Sequence, residues 1–337
     1  MTINEVGAAR RATISDVARA AGVSRATVSR VMNGISTVDA SIAERVLAIA
    51  AELDYSPSGT ARSLSLGVTH TVAMMVPDLG NPMFQEILRG FHHAAGADGY
   101  RVLVSDSQEA VADEVALARD ARRRCDAVVL CAPRSSGAAL VDLLRTVQPA
   151  VVINRGTQGG VAPAVTIDYA AGIHSLVDHL VALGHRRLAY LEGPPRSASN
   201  VVRMETLQEI VMERDDLEVH WLPCGSTLVD GYRAWPGVRA TDATAVIAFN
   251  DLVALGFLGR LNEESIAVPA ELSVAGFDDI PFSRFSSPPL TTVTINQVRI
   301  GEVAWEKLRA AIDRTAEPAE TRFRPDLVVR ASTGPAR

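Results

Sequence analysis

From residue 69 onward the chain alternates short apolar runs with helical stretches. The runs are TVAMMVP (71–77), RVLVS (101–105), DAVVLCA (126–132), AVVIN (150–154), RLAYLEG (187–193), EVHWL (218–222), TAVIAFN (244–250) and ELSVAGF (271–277). Continuous apolar runs of this length read as strands buried on both faces. Strands separated by helices pair in parallel, because the helix carries the chain back to the starting edge. The alternation therefore predicts parallel sheets with helices on both faces. A chain of 337 residues is long enough for two such sheets and a further small domain.

The N-terminal part has a different texture. Residues 1–12 read as a loose tail, and residues 13–54 carry only helical patterning. Thr13, with Asp16 three positions later, has the form of a capping box, and Val17, Ala18 and Ala21 then share one face. Gly22 breaks this helix and Ser24 can cap the next, whose apolar stripe is Val28, Val31 and Met32. Ser41 and Glu44 read as the start of a third helix that turns Val46, Ile49, Ala50 and Leu53 inward. Three short helices with a glycine turn between the first two form a helix-turn-helix pattern. Pro57 stops the third helix, and Thr60 to Leu66 follows as a short helix candidate.

Charge points the same way when read locally. The net charge is −6, yet residues 8–34 hold five arginines (10, 11, 19, 25, 30) against one acid, Asp16. A basic module on an acidic body suits a protein that meets nucleic acid through one end only. Other classes find little support. The N-terminus has no apolar segment of the secretory kind, no run is long enough to span a membrane, and Cys125, Cys131 and Cys224 make no CxxC pair. A cytoplasmic, reducing location is expected, with no metal and no cofactor. There is no GxGxxG opening a helix, no P-loop and no GxSxG elbow, and the adjacent His92 and His93 have no ligand partner at suitable spacing.

ATISDVARAAGVSRATVSRVMNG (12–34), followed by YSPSGTARSL (55–64), resembles the LacI/GalR family of bacterial regulators. The resemblance continues through PDLGNPMF (77–84), LVALGHRRLAYL (180–191), FNDLVALG (249–256), LSVAGFDD (272–279), SPPLTTV (287–293) and LVVRAST (327–333). It implies an all-α helix-turn-helix headpiece at 13–56 and a hinge helix at 57–68. It also implies an α/β core at 69–335 of two doubly wound, periplasmic-binding-protein-like lobes. Lobe 1 would use about 70–165 and 294–323, and lobe 2 about 166–291 and 325–335.

The function it implies is that of a sequence-specific regulator, most simply a repressor. It would bind a near-palindromic DNA operator as a homodimer and respond to a small polar effector, a sugar or related metabolite, held between the lobes. The chain ends soon after LVVRAST without a heptad segment, so a dimer is expected rather than a tetramer.

Residue by residue, Arg25, Ala26, Ser29 and Arg30 would face base edges, with Arg25 and Ala26 at the family's main specificity positions. An arginine can grip guanine O6 and N7 together, whereas Ala26 offers only a methyl group. Thr13, Ser24, Thr27 and Asn33 would hold phosphates. Ala61 and Leu64 share a face of the hinge, and Leu64 matches a leucine that wedges into the minor groove. For the effector, Arg203, Asn250 and Asp278 match polar contacts. Asn81 and Phe84 would line the cleft from lobe 1, with Arg155 and Asp168 at the lobe crossing. Arginine donates, aspartate accepts and asparagine does both, which suits paired hydroxyls. Strand-end turn and helix-cap roles remain open for Asn250 and Asp278. Two alternatives also stay open: a DNA-binding regulator whose core only dimerises, and a sugar-binding protein.

Overall fold

The computed structural model describes residues 12–35, 37–55, 68–157, 160–315 and 317–337. It divides into two compact units, residues 1–70 and 71–337.

The first unit holds helices α1 (Ile14–Ala21), α2 (Arg25–Met32) and α3 (Ala40–Glu52). At the start of α1, Asp16 accepts from the Thr13 N–H at 3.0 Å and from its hydroxyl at 2.7 Å. Gly22 ends the helix at φ 66°, a left-handed conformation that costs a residue with a Cβ about 1–2 kcal/mol. Gly22→Val is therefore expected to destabilise this unit by about that amount in a denaturant titration. Val17, Ala18, Ala21, Val28, Val31, Val46 and Ala50 form its core.

Two details differ from the sequence reading. The third helix begins at Ala40, capped by Asp39, whose carboxylate accepts from the Ser41 N–H at 2.9 Å and its hydroxyl at 2.6 Å. Those bonds hold the Asp39 carboxyl below its ordinary pKa. Leu53 is 39% exposed rather than inward. It sits past the last helical residue, where Asp54 turns the chain at φ 47°, and Tyr55 packs against the core instead.

The second unit contains two six-stranded sheets. The first sheet has strands β1 (Thr71–Val76), β2 (Arg101–Asp106), β3 (Ala127–Cys131), β4 (Ala150–Ile153), β5 (Ala164–Ile167) and β11 (Glu320–Phe323), in the order β11-β5-β4-β3-β1-β2, all parallel. The second has β6 (Arg187–Glu192), β7 (Glu218–Pro223), β8 (Ala245–Ala248), β9 (Ser273–Asp278), β10 (Thr291–Thr294) and β12 (Asp326–Val328), in the order β12-β10-β9-β8-β6-β7. Only its β10–β12 pairing is antiparallel.

Alternate residues feed opposite layers, as the pleat requires. Val72, Met74 and Val76 enter one core and Met75 another; Leu188 and Tyr190 enter the first, Ala189 and Leu191 a third. Both faces are covered, which is why these strands read as unbroken apolar runs.

The chain passes between the lobes three times. It leaves β5 through Asp168 into the helix Tyr169–Ala182, leaves β10 through Ile295 and Asn296 into Gln297–Ile312, and leaves β11 directly into β12. The helix Gln297–Ile312 is anchored in lobe 1, where the Trp305 indole donates to Asp98 at 2.8 Å.

Candidate functional site

The exposed face of α2 is where a groove-reading helix would carry its contacts. Val28 and Val31 are buried, while Ser24, Arg25, Ala26 and Arg30 are exposed and Thr27, Ser29 and Asn33 are half-buried. The Ser24 hydroxyl caps the helix, accepting from the Thr27 N–H at 3.1 Å and lying 2.9 Å from the Thr27 hydroxyl. Thr13 is exposed beside Asp16. Ala61 and Leu64 lie outside the described residues.

In the second unit, a cavity opens between the lobes. Its walls come from the carboxyl ends of the strands of both sheets. Asp78, Asn81 and Phe84 follow β1, Ala132 and Arg134 follow β3, and Asn154 follows β4. From the other lobe, Ser197 and Ser199 follow β6, Ser226 follows β7, Phe249 follows β8, and Asp278 ends β9. In each sheet the strand order reverses beside β1 or β6, so the loops there part to opposite sides and leave a crevice.

Asn81, Phe84, Arg203 and Asp278 thus meet in this cavity. Arg203 is 2% exposed, and its guanidinium lies 3.7 Å from the centre of the Phe277 ring, 4.7 Å from that of Tyr169 and 5.0 Å from that of Phe249. Its Nη1 donates to the Phe249 carbonyl, and its Nη2 is 3.8 Å from an oxygen of Asp278. Its Nε is buried without a protein partner. Burial pushes the Asp278 carboxyl up to about 8, opposed by Arg203 and reinforced by the nearby Asp251. Asp251 is itself fully buried and pushed up to about 7 by the same loss of water. It accepts from the Ile280 N–H and the Ser283 and Thr292 hydroxyls, holding the segment after β9 against β10.

Other candidate residues are placed elsewhere. Asn250 is buried outside the cavity lining, and both ends of its amide are used. Its oxygen caps the helix Asp251–Glu263 by accepting from the Val253 N–H at 2.8 Å, and its nitrogen donates to the Ser226 carbonyl at 3.0 Å. Asn250 therefore positions Ser226, which does line the cavity. Arg155 and Asp168 line a second, neighbouring cavity. Asp168 caps the helix Tyr169–Ala182, and Arg155 donates to the Pro133 carbonyl at 2.9 Å.

Several lining residues were not singled out by the sequence. Arg134 is buried, and Glu109 grips it by two nitrogens while its Nη1 donates to the Ala132 carbonyl at 2.8 Å. Asn154 is 5% exposed, and neither its amide oxygen nor its nitrogen has a partner. Its φ of 58° is a conformation asparagine tolerates better than most residues. The signal available was its place directly after a central strand, at the end where open α/β sheets bind ligands.

Far from these cavities, Glu218, His220 and Asp242 bring ligand atoms within 4.8 Å of one another. There Asp242 is already bound by His220 at 2.9 Å and by Arg187 at 2.9 Å, so the group reads as an ion-pair cluster.

A three-helix headpiece with an exposed second helix, followed by two lobes closing on a polar cavity, defines a DNA-binding regulator with a ligand-binding-protein core. Two family models match the chain, "Bacterial regulatory proteins, lacI family" over residues 13–58 and "Periplasmic binding protein-like domain" over residues 177–333. It is 32% identical over 326 residues to the transcriptional regulator GalS of Salmonella typhimurium, covering 95% of this chain and 96% of that one. It is 31% identical over 332 residues to the transcriptional repressor PurR of Histophilus somni, covering 95% and 98%. The chain belongs to the LacI family of bacterial transcriptional regulators and is not an enzyme.

Solved structures agree in fold. The Lac repressor dimer bound to operator and the anti-inducer ONPF superposes with a TM-score of 0.84 at 25% identity, covering 96% of this chain and all of that one. A complex of the regulator CelR with cellobiose superposes at 0.70 with 27% identity, over 96% and 100%. No helix among the described residues is long and apolar enough to cross a membrane.

Proposed function

We propose that this protein is a cytoplasmic repressor that binds a near-palindromic operator as a homodimer and is controlled by an uncharged sugar or related polyol between its lobes. The observation that carries the DNA half is α2, which buries Val28 and Val31 and leaves Arg25, Ala26 and Arg30 free to enter a major groove. In this reading Arg25, Ala26, Ser29 and Arg30 contact base edges, and Thr13, Ser24, Thr27 and Asn33 contact phosphates. Ala61 and Leu64 meet the minor groove at the centre of the site.

Dimerisation is supported by apolar surface without a partner in one chain. Strand β2 is the outer strand of its sheet, and Leu103 and Val104 on it are 50% and 38% exposed. Phe282 and Phe285 in lobe 2 are 59% and 78% exposed. A bare, apolar edge strand invites pairing or coverage.

The effector half rests on the central cavity. Arg134 is neutralised by Glu109, so one of the cavity's positive charges is already balanced, and Arg203 is held among the Phe277, Tyr169 and Phe249 rings beside Asp278. What remains for a ligand is hydrogen bonding, from Asn154, the Arg203 Nε and the serines. The relatives supply the repressor role and the polar ligands by analogy.

Selection of bound duplexes from a random pool tests the reading, using the full chain with and without a panel of neutral sugars. It should return two inverted half-sites whose recovery changes with one sugar. Enrichment of a single isolated half-site would refute the dimeric mode. Recovery unaffected by every sugar would refute the effector class.

A further inference from the structure

We infer that the effector has two linked polar units, one in the central cavity and the second in the neighbouring cavity at the lobe crossing. This rests on the reading of the central cavity as the effector site. The second cavity shares Asn154 and Tyr169 with the first. Asn154 is the informative residue. A buried amide that makes no hydrogen bond loses its solvation without compensation, at a cost of about 1–3 kcal/mol. Here both amide atoms are in that state, at the boundary between two cavities. A ligand passing from one cavity to the other would satisfy the oxygen and the nitrogen together.

The second cavity has walls suited to a sugar unit rather than to an ion. Its lining carries two arginines, Arg155 and Arg322, and two acids, Asp168 and Glu320, so its formal charges balance. These groups are held in place by the fold. Glu320 accepts from the Thr166 hydroxyl at 2.6 Å and from Arg322 at 3.2 Å, and Asp168 caps its helix. Arg155 spends one nitrogen on the Pro133 carbonyl, and a guanidinium has five N–H donors. Planar donors and acceptors in fixed positions bind hydroxyl pairs, while Ile167 and Val202 offer an apolar surface to ring C–H groups.

The site also has a mechanical consequence. Thr166 and Glu320 belong to lobe 1, whereas Asp168 and Val202 belong to lobe 2. A second unit lodged there touches both lobes beside two of the three chain crossings. Its binding is therefore sensitive to the angle between the lobes, and it would shift the population of that angle in return.

Titration calorimetry on the full-length chain tests this with matched pairs of probes: cellobiose, maltose and lactose against glucose and galactose. At least one disaccharide should bind tenfold or more tightly than either of its monosaccharides. Val202→Trp, which fills the second cavity, should bring that disaccharide down to the monosaccharide level and leave monosaccharide binding unchanged. Arg322→Ala, a milder change at an exposed side chain, should weaken the disaccharide alone. A monosaccharide that binds as tightly as its disaccharide, with both variants neutral, overturns the two-unit effector and leaves a sugar-controlled regulator standing. Failure of every sugar of either length overturns that underlying reading as well.

Discussion

Replacing Arg25 with alanine is expected to lower affinity for the selected operator by roughly 5- to 150-fold, which corresponds to about 1–3 kcal/mol for a bidentate arginine–base contact. Base preference at one position of each half-site should relax at the same time. The side chain is exposed at the first residue of α2, and no protein acid is bonded to it among the described residues. The variant removes no packing, because the core of that unit is built by Val17, Val28, Val46 and their neighbours. Titrations against duplexes with each base substituted in turn separate this role from a phosphate contact. Thr27→Ala should weaken all sequences alike, whereas Arg25→Ala should flatten one position. A variant with wild-type base preference would remove Arg25 from the groove.

Asp278→Asn should weaken the response to effector and also change how stability depends on pH. The carboxyl is buried, and loss of hydration raises its pKa to about 8 in the folded chain, against the ordinary carboxylate value in the unfolded one. The folded state therefore binds the proton more tightly. Stability from this group is fully present below about pH 4 and is lost as pH rises toward 8. Asparagine has the same shape and no charge to lose. The difference in melting temperature between variant and wild type should move in the variant's favour from pH 5 to pH 8. At neutral pH the carboxyl is mostly protonated, and a hydrogen bond between neutral groups is worth about 0.5–1.5 kcal/mol, so effector affinity should fall by roughly 2- to 12-fold. A difference in melting temperature that stays flat with pH would show that Asp278 is already ionised in the folded protein.

The two sites were legible in the sequence to different degrees. The face of α2 can be read from spacing alone, because a single helix sets which residues share a side. Val28 and Val31 are spaced to point inward, and Arg25 and Arg30 then point out. Even there the end of a helix escapes such counting. Leu53 fits the inward spacing of α3 but falls after its last turn, where Asp54 redirects the chain. The effector cavity is another matter, since its walls come from the carboxyl ends of many strands in both sheets. Arg203 and Asp278 were found through resemblance, and Asn154 had no motif to mark it. Asn250, in an asparagine–aspartate pair that fits either a ligand or a cap, is spent on Val253 and Ser226.

Spacing and composition along the chain are enough to place a small basic helical module before an α/β core and to tell which residues of the second helix stand outward. Those properties depend on local periodicity and on apolar runs, and both are written along the chain. It is the packing of the two lobes that puts Arg155 and Asp168 on one cavity and Arg203 and Asp278 on another, with Asn154 lining both. That division depends on where two strand orders reverse and where the chain crosses between lobes. Such contacts join residues far apart in sequence, and no spacing along the chain encodes them.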